Sequence, residues 1–165
     1  MKLYLKQKVF SWGDKFTVFD ENGNERFFVK GEVFTFGKKL HLLDLNENEL
    51  AFIYQKVFSF LPRYFVSRNG EAYAEVIKRI TFFRQEYIVN GLNWNVKGDF
   101  FAHEYEIYDS YGQCIVRVSK KWFTFGDSYE IDINDNTDIV SALSVVLVID
   151  ACIASANAAT ASSGN

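Results

Sequence analysis

Six stretches of the chain share one pattern of apolar and polar positions. Each ends in two apolar residues that are two positions apart, and most have Gly or polar residues in the middle. The stretches are residues 8–18, 32–42, 56–66, 79–89, 97–107 and 121–131. A spacing of two is typical of a β-strand with one buried face, and the polar middle predicts a hairpin turn.

A second kind of turn signal separates the six stretches. Segments rich in Asp, Asn and Gly lie at residues 20–24, 44–48, 68–70, 90–91 and 109–112. Such residues favour a reversal of chain direction. The pattern therefore predicts six hairpins joined by tight turns, which makes about twelve strands in up-and-down order. The alternative is a chance similarity among aromatic-rich strands.

The segment after Ile133 has a different pattern. Residues 134–138 offer N-cap side chains and negative charge for the start of a helix. Residues 139–154 are then apolar or small on every side except at Asp150, which favours a helix buried in a core or a membrane. Because a membrane span needs roughly 20 apolar residues, we expect a buried helix over about 137–154 and no transmembrane span. A tail-anchored membrane protein is the alternative.

A closed barrel accounts for both patterns. Eight strands enclose an interior that side chains can fill, whereas twelve strands leave room for a central element. A helix over residues 137–154 would be roughly 27 Å long, close to the span of about 26 Å for an eight-residue strand. We therefore predict an all-β domain over residues 1–155, a closed twelve-stranded antiparallel barrel around a central hydrophobic C-terminal helix. A disordered Ala/Ser tail is expected at residues 156–165.

The composition is that of one globular domain. The chain has 165 residues, of which 48% are hydrophobic and 24% charged, and its net charge of -3 argues against a broadly basic nucleic-acid-binding protein. Cys114 and Cys152 are too few for a disulfide framework, which indicates a reducing compartment. No apolar leader follows Met1. We therefore expect a cytoplasmic protein.

Motifs of enzymes and cofactor sites are missing from the sequence. His41 and His103 fall on predicted strands, and the two cysteines lack zinc-type spacing. There is no phosphate-binding, dinucleotide or nucleophile-elbow motif. Residues 20–24 begin like a calcium loop but lack flanking helices, so we interpret them as a turn. We expect no enzymatic activity, no metal and no cofactor, although a polar cleft in the structure would reopen the case for a hydrolase.

The repeated hairpins resemble a known family. Val-Phe-Ser-Trp-Gly-Asp-Lys-Phe at residues 9–16, together with a final hydrophobic helix that carries Asp150, is similar to the LURP-one-related proteins over residues 1 to about 156. That family resembles the tubby C-terminal-domain-like group, which includes the phospholipid scramblases. The resemblance implies a twelve-stranded barrel around a hydrophobic helix. Because tubby-type domains bind phosphoinositide head groups and scramblases act on membrane lipids, it also implies a lipid ligand.

Basic residues at one position of the repeat form the first candidate site. The position before the first apolar residue is basic in five of the six stretches, and further lysines adjoin it. The candidate residues for anionic lipid are Lys8, Lys56, Lys78, Arg79, Lys97, Lys120 and Lys121. Alternation predicts that this position faces outwards, opposite to inward-facing Val9, Val33, Val57 and Trp122. The alternative is that these side chains provide solubility and protect against aggregation.

Aromatic residues in the predicted hairpin turns form the second candidate site. They are Phe10, Trp12, Phe34, Phe36, Phe58, Phe60, Phe82, Phe83, Phe100, Phe101, Phe123 and Phe125. We expect these rings to fold over the barrel end and cap the helix. The alternative is an apolar rim that enters a membrane or binds a partner. Asp150 is expected to have a structural role at the barrel mouth, bonded to backbone groups or to a lysine.

These observations favour a non-enzymatic binding or scaffold domain that contacts anionic phospholipid head groups at a membrane surface. One alternative is a protein–protein interaction module without a lipid ligand. Another is a scramblase-like membrane-associated protein. We expect no nucleic-acid partner, and the sequence does not indicate an oligomeric state.

Overall fold

The computed structural model describes residues 1–6, 15–33, 35–80, 85–123 and 126–162. These residues form twelve β-strands and one helix. The strands are β1 (Lys2–Lys6), β2 (Lys15–Asp20), β3 (Glu25–Gly31), β4 (Lys39–Leu43), β5 (Glu49–Gln55), β6 (Arg63–Arg68), β7 (Glu71–Ile80), β8 (Gln85–Asn90), β9 (Trp94–Asp99), β10 (Glu104–Tyr108), β11 (Cys114–Phe123) and β12 (Gly126–Ile133). The helix is α1 (Ile139–Ser162).

The strands form a closed up-and-down barrel. Each strand pairs antiparallel with its neighbours in sequence, and β1 closes the sheet against β12 with Leu3 opposite Ile131. A closed barrel leaves no unpaired sheet edge, so aggregation through edge strands is avoided. The predicted strand number, order and pairing are therefore confirmed.

Helix α1 fills the barrel. Its residues 142–149 are fully buried, and they pack against inward-facing side chains such as Leu3, Ile53 and Val89. Full burial of one Val, Leu or Ile stabilises the fold by roughly 1.5–3 kcal/mol. The segment Ile139–Asn157 has a mean hydropathy of 2.3, long and apolar enough to cross a membrane by those criteria alone, yet 72% of it is buried inside the protein. The helix has no polar face because the barrel surrounds it on every side.

The helix begins at a charged cap. Asp138 accepts a hydrogen bond from the backbone N–H of Ser141 at 2.7 Å, and Arg68 donates to the same carboxylate. The guanidinium of Arg68 also lies 5.1 Å from the ring of Tyr73. These contacts fasten the first helical turn to β6 and β7.

The predicted C-terminal boundary was wrong. The helix continues to Ser162, so residues 156–162, expected to be disordered, are helical, while residues 163–165 lie outside the described part of the chain. Alanine has the highest intrinsic helix propensity, and this segment alternates alanine with small polar residues. The expectation of disorder came from the small size of these residues and neglected that propensity.

Three of the turns between hairpins share one hydrogen-bonding arrangement. Asp20, Asp44 and Asp109 each accept two backbone N–H bonds, from the second and fourth residues that follow, at 2.8–2.9 Å. The third residue after each aspartate has a positive φ of 65–80°. Asx turns of this kind reverse the chain without help from tertiary packing. The interpretation of residues 20–24 as a turn is confirmed.

The two ends of the barrel differ in charge. We call the end with the connections β2–β3, β4–β5, β6–β7, β8–β9, β10–β11 and β12–α1 the acidic end. All of these connections are described, and every charged residue in them is acidic: Glu21, Asp44, Glu47, Asp109, Asp135 and Asp138. We call the opposite end the hairpin end; it has the connections β1–β2, β3–β4, β5–β6, β7–β8, β9–β10 and β11–β12. Helix α1 enters at the acidic end, and its C-terminal half reaches the hairpin end.

Candidate functional site

The predicted basic residues divide into separate groups at the hairpin end. Lys56, Lys78 and Arg79 lie together, because the backbone N–H of Lys78 bonds to Pro62 in the β5–β6 connection at 3.2 Å. Lys120 and Lys121 lie on β11, and Lys97 lies on β9. Lys8 is outside the described residues.

Strand alternation sends two of these lysines inwards. Lys78 follows buried Ala74 and Val76 on one face of β7; burial raises the pKa of Cys152 to about 11, and the charge of Lys78 opposes that rise in part. Lys120 likewise continues the inward face of β11, and its charge adds to the effect of burial in lowering the pKa of His103. The set is therefore not one continuous outer band.

A third inward lysine was missed. Lys38 donates from Nζ to the backbone carbonyl of Ala151 at 3.0 Å, and burial lowers its pKa to about 8. Alternation could have found it, because Lys38 precedes buried Leu40 by two positions. Lys38 in the β3–β4 connection thus contacts the helix directly, and Lys78 on β7 lies near enough for its charge to act on Cys152 of the helix.

Acidic neighbours reduce the local charge on the β8–β12 side. Lys97 lies opposite Glu86 on β8 and Glu106 on β10. The Nζ of Lys121 lies 3.7 Å from Glu130. These pairs leave little net positive charge around β9–β12.

The β3–β7 side of this end is strongly basic. Residues 32–39, 56–63 and 78–79 carry six basic residues against one acidic residue, Glu32. Glu32 is paired with Lys39 at 3.1 Å, and Arg63 is paired with Glu75 at 3.0 Å. Lys56 and Arg79 are exposed. Among the described residues, exposed basic side chains therefore adjoin the β3–β4 and β5–β6 connections.

Exposed aromatic rings occupy the same connections. Phe36 on β3–β4 is 92% exposed, and Phe58 and Phe60 on β5–β6 are 101% and 103% exposed. We call these three residues the aromatic tips. The expectation that the turn aromatics fold over the barrel was wrong for them, and Phe101 is also exposed. The side chains of Phe10, Trp12, Phe34, Phe82, Phe83, Phe123 and Phe125 lie outside the described part.

Tyrosines already occupy the space that the aromatic rings were expected to cap. Tyr64, Tyr87, Tyr105 and Tyr129 are buried against the helix, and Phe100 packs on Tyr87 with ring centroids 4.8 Å apart. These four tyrosines occupy the same repeat position, a signal that the sequence contained. Phe100, which is 3% exposed, therefore covers the helix as expected, whereas the aromatic tips lie outside this packed layer.

Two further inward assignments were wrong. Val33 and Val57 are 48% and 41% exposed, although alternation predicted that they face inwards. The ladder of β3 ends at Gly31 and that of β5 at Gln55, so both valines lie in connections beyond the sheet. Trp122 and Val9 have no described side chains.

A buried acid–base cluster lies beneath the mouth. Burial raises the pKa of Asp150 to about 7, opposed in part by the Tyr129 hydroxyl and the charge of Lys38. The Nδ1 atom of His103 lies 3.7 Å from the Asp150 carboxylate, and its ring stacks on Tyr129 at 4.8 Å. His103 ends the β9–β10 turn and is not in a strand as predicted, and burial lowers its pKa. Asp150 was expected to bond to backbone groups or to a lysine; the structure places its carboxylate beside the Tyr129 hydroxyl and His103, with the charge of Lys38 nearby.

Two other features of the described residues concern metal ligands and a surface groove. In that part of the chain, no group of three or more His, Cys, Asp or Glu side chains could hold a metal ion. A groove of about 200 Å³ lies near the acidic end, lined by Phe65, Tyr73, Glu75 and Gly91 among others. It contains none of the candidate basic residues.

Comparisons with known proteins agree with this architecture. A model of the LURP-one-related family matches residues 1–150. The Bacillus subtilis (strain 168) protein "Uncharacterized protein YxjI" is 36% identical over 151 residues, which is 91% of this chain and 92% of that protein. The X-ray structure of the Arabidopsis thaliana protein AT5G01750 has a similar fold, with a TM-score of 0.65 at 20% identity, covering 91% of this chain and 90% of that one. The chain described here is therefore a member of the LURP-one-related family.

Proposed function

We propose that this protein is a non-enzymatic binding or scaffold domain whose hairpin end contacts anionic phospholipid head groups at a membrane surface. In this proposal it is a cytoplasmic protein that associates peripherally with the membrane. The observation that carries the proposal is the charge difference between the two ends of the barrel. Of the six basic residues on the β3–β7 side, Lys56 and Arg79 are exposed beside the aromatic tips, whereas every charged residue in the opposite connections is acidic.

Electrostatics would orient such a protein before contact. The net charge is -3, so a negative surface repels the molecule as a whole and attracts only its basic end. Each basic residue close to an anionic surface contributes about 1 kcal/mol. Lys56 and Arg79 are exposed beside Lys78 and supply this attraction without rearrangement of the fold. Glu86 on β8 lies opposite Arg79 and reduces its share, so Lys56 is the larger contributor.

Vesicle sedimentation tests the proposal directly. Purified protein is mixed with phosphatidylcholine vesicles or with phosphatidylcholine–phosphatidylserine vesicles, at low and at physiological salt. We expect sedimentation with the anionic vesicles only, weakening as salt screens the charges. Failure to bind either vesicle would reject the lipid ligand and favour the protein–protein interaction module.

Charge-reversal variants locate the contact. Lys56→Glu/Arg79→Glu should reduce anionic-vesicle binding by an order of magnitude or more, since each reversal removes an attraction of about 1 kcal/mol and adds a repulsion. Lys97→Glu/Lys121→Glu makes the same change in net charge on the β8–β12 side, where a smaller loss is expected. Arg26→Glu, beside Asp20 at the acidic end, serves as the distant control. Equal losses in all variants would mean that net charge matters and the basic surface does not.

A further inference from the structure

We propose that the aromatic tips insert into the interfacial layer of an anionic bilayer, so that the barrel docks end-on with its helix axis close to the membrane normal. The proposal rests on the proposed lipid contact and specifies its geometry: lysine charges bind the head groups while Phe36, Phe58 and Phe60 enter the layer below them. A bilayer, not a protein groove, is the expected occupant of this surface.

The aromatic tips make no contribution to the packed core. Exposures of 101% and 103% mean that the rings of Phe58 and Phe60 touch neither the barrel nor one another. A single exposed apolar residue is ordinary. Three exposed rings on two adjoining connections, together with half-exposed Val33 and Val57, concentrate exposed apolar side chains at one end of the barrel, and such a concentration favours an interaction site.

The two connections that carry the rings are held together. The backbone N–H of Gln55 donates to the carbonyl of Lys38 at 2.8 Å. A Cβ atom at Gly37 would lie only 2.9 Å from the side chain of Val57, so the β3–β4 connection packs directly on the β5–β6 connection. The rings are therefore presented by one platform and would enter a surface together.

Backbone strain supports a functional role for the second connection. Phe58 has a φ of 61°, a left-handed conformation that is unfavourable for a bulky residue. Such strain persists where the surrounding structure imposes it, and it concentrates at functional sites. Glycine or asparagine would adopt this conformation more easily, so stability alone does not explain a phenylalanine here.

Charge on the platform identifies the partner as an anionic interface. Lys56 on the β5–β6 connection is exposed, and exposed Arg79 lies close to it; Glu32, the acidic residue that adjoins the platform, is paired with Lys39. Basic side chains meet phosphate and serine head groups, and aromatic side chains partition into the layer between head groups and acyl chains. Rings that are solvated separately also suit a fluid layer, which surrounds each of them without a shaped pocket.

The first experiment measures vesicle affinity after removal of two rings. Phe58→Ala/Phe60→Ala should bind phosphatidylcholine–phosphatidylserine vesicles more weakly, by about tenfold for each ring. The matched control is Leu45→Ala/Tyr111→Ala, because these side chains are 51% and 88% exposed at the acidic end. The control should bind like the unaltered protein, and thermal unfolding should show that both variants fold.

The second experiment measures depth. Phe60→Trp and Tyr111→Trp are each compared with the unaltered protein in vesicles that contain brominated lipid, which quenches indole fluorescence on contact. Subtraction of the native tryptophan signal leaves that of the new residue. We expect quenching for Phe60→Trp and none for Tyr111→Trp.

The outcomes separate this inference from the proposed function. If the unaltered protein does not bind anionic vesicles, both fail. If it binds in a salt-sensitive manner but Phe58→Ala/Phe60→Ala binds equally well, or the new indole of Phe60→Trp is not quenched, the lipid contact stands and insertion is rejected. Loss of affinity in the alanine variant together with quenching at position 60 supports end-on insertion.

Discussion

The acidic end and the hairpin end of the barrel are built from the same strands but solve different problems. At the acidic end, Asp20, Asp44 and Asp109 satisfy the backbone of their own turns, and Asp138 caps the helix. At the hairpin end, Phe58 has a left-handed backbone conformation and aromatic rings are solvated. Asp150 and Lys38 are buried there although desolvation disfavours their charged forms. Glu47 at the acidic end is also left-handed, with a φ of 65°, but it lies within an Asx turn. The contrast between the ends therefore rests on the buried charges and the solvated rings at the end proposed to bind.

The largest expected effect concerns Asp150. Because burial raises its pKa from 3.8 to about 7, the folded protein binds a proton more readily than the unfolded chain does. The free energy of unfolding therefore falls as pH rises from about 4 to about 7. Above pH 7, the full contribution of this group is a loss of up to about 4 kcal/mol. Asp150→Asn should increase the free energy of unfolding at pH 8 and leave it nearly unchanged at pH 4, as measured by urea denaturation.

His103, Lys38 and Lys120 also face this cluster, so the difference between variant and native protein at each pH is the informative quantity. A variant that is less stable at pH 8 would show that the Asp150 carboxylate is charged and well paired. Burial of Asp150 would then no longer count as a destabilising feature of the hairpin end.

The next effect lies at the acidic end. Asp138→Ala removes the N-cap of α1 and the partner of Arg68, which should destabilise the protein by about 2 kcal/mol. Chemical denaturation provides the measurement. Asp138→Asn retains a capping side chain and should lose less. An equal loss in both variants would assign the effect to the Arg68 ion pair instead of the cap.

A smaller loss is expected in one Asx turn. Asp109→Ala removes the acceptor for the backbone N–H groups of Tyr111 and Gln113, at a cost of about 1 kcal/mol because the turn is exposed to water. Asp109→Asn, which keeps an acceptor oxygen, is the control in thermal unfolding. No loss in either variant would contradict the interpretation that these turns stabilise the acidic end.

The smallest expected effect is a gain in stability at the hairpin end. Phe58→Gly relieves a left-handed conformation that costs a bulky residue about 1–2 kcal/mol, but it adds backbone entropy to the unfolded chain, worth about 0.5–1 kcal/mol. The net gain in stability should be about 0.5 kcal/mol. A gain in stability together with weaker vesicle binding would sharpen the contrast between the two ends. A loss in stability would show that the Phe58 ring supports the fold.

Much of the fold was predictable because its determinants are local. Alternation at Tyr64/Val66 and Tyr105/Ile107 has a spacing of two, which only a strand with one buried face satisfies. The buried helix was predictable because its apolar residues cover more than one helical face. Its end was misplaced because alanine-rich residues 156–162 were judged by size and not by helix propensity.

The candidate site was less predictable. Alternation could have separated Lys78 from Arg79, which the prediction had grouped together. It gave no sign that the β8–β12 lysines would have Glu86, Glu106 and Glu130 as neighbours. Those partners come from other strands, and their distances depend on register and barrel tilt. The position of Lys38 against Ala151 depends in the same way on how far the helix extends through the barrel.

The sequence by itself determined the twelve-stranded repeat, the buried helix and the turn chemistry of the acidic end, because each depends on the spacing of residues within a short segment. Tertiary structure alone decided which aromatic residues are buried. Phe100 and Phe58 are equally hydrophobic, yet one packs on Tyr87 and the other is solvated. Hydrophobicity favours burial but does not supply a cavity, and the space at this end of the barrel was already filled by the four tyrosines around the helix.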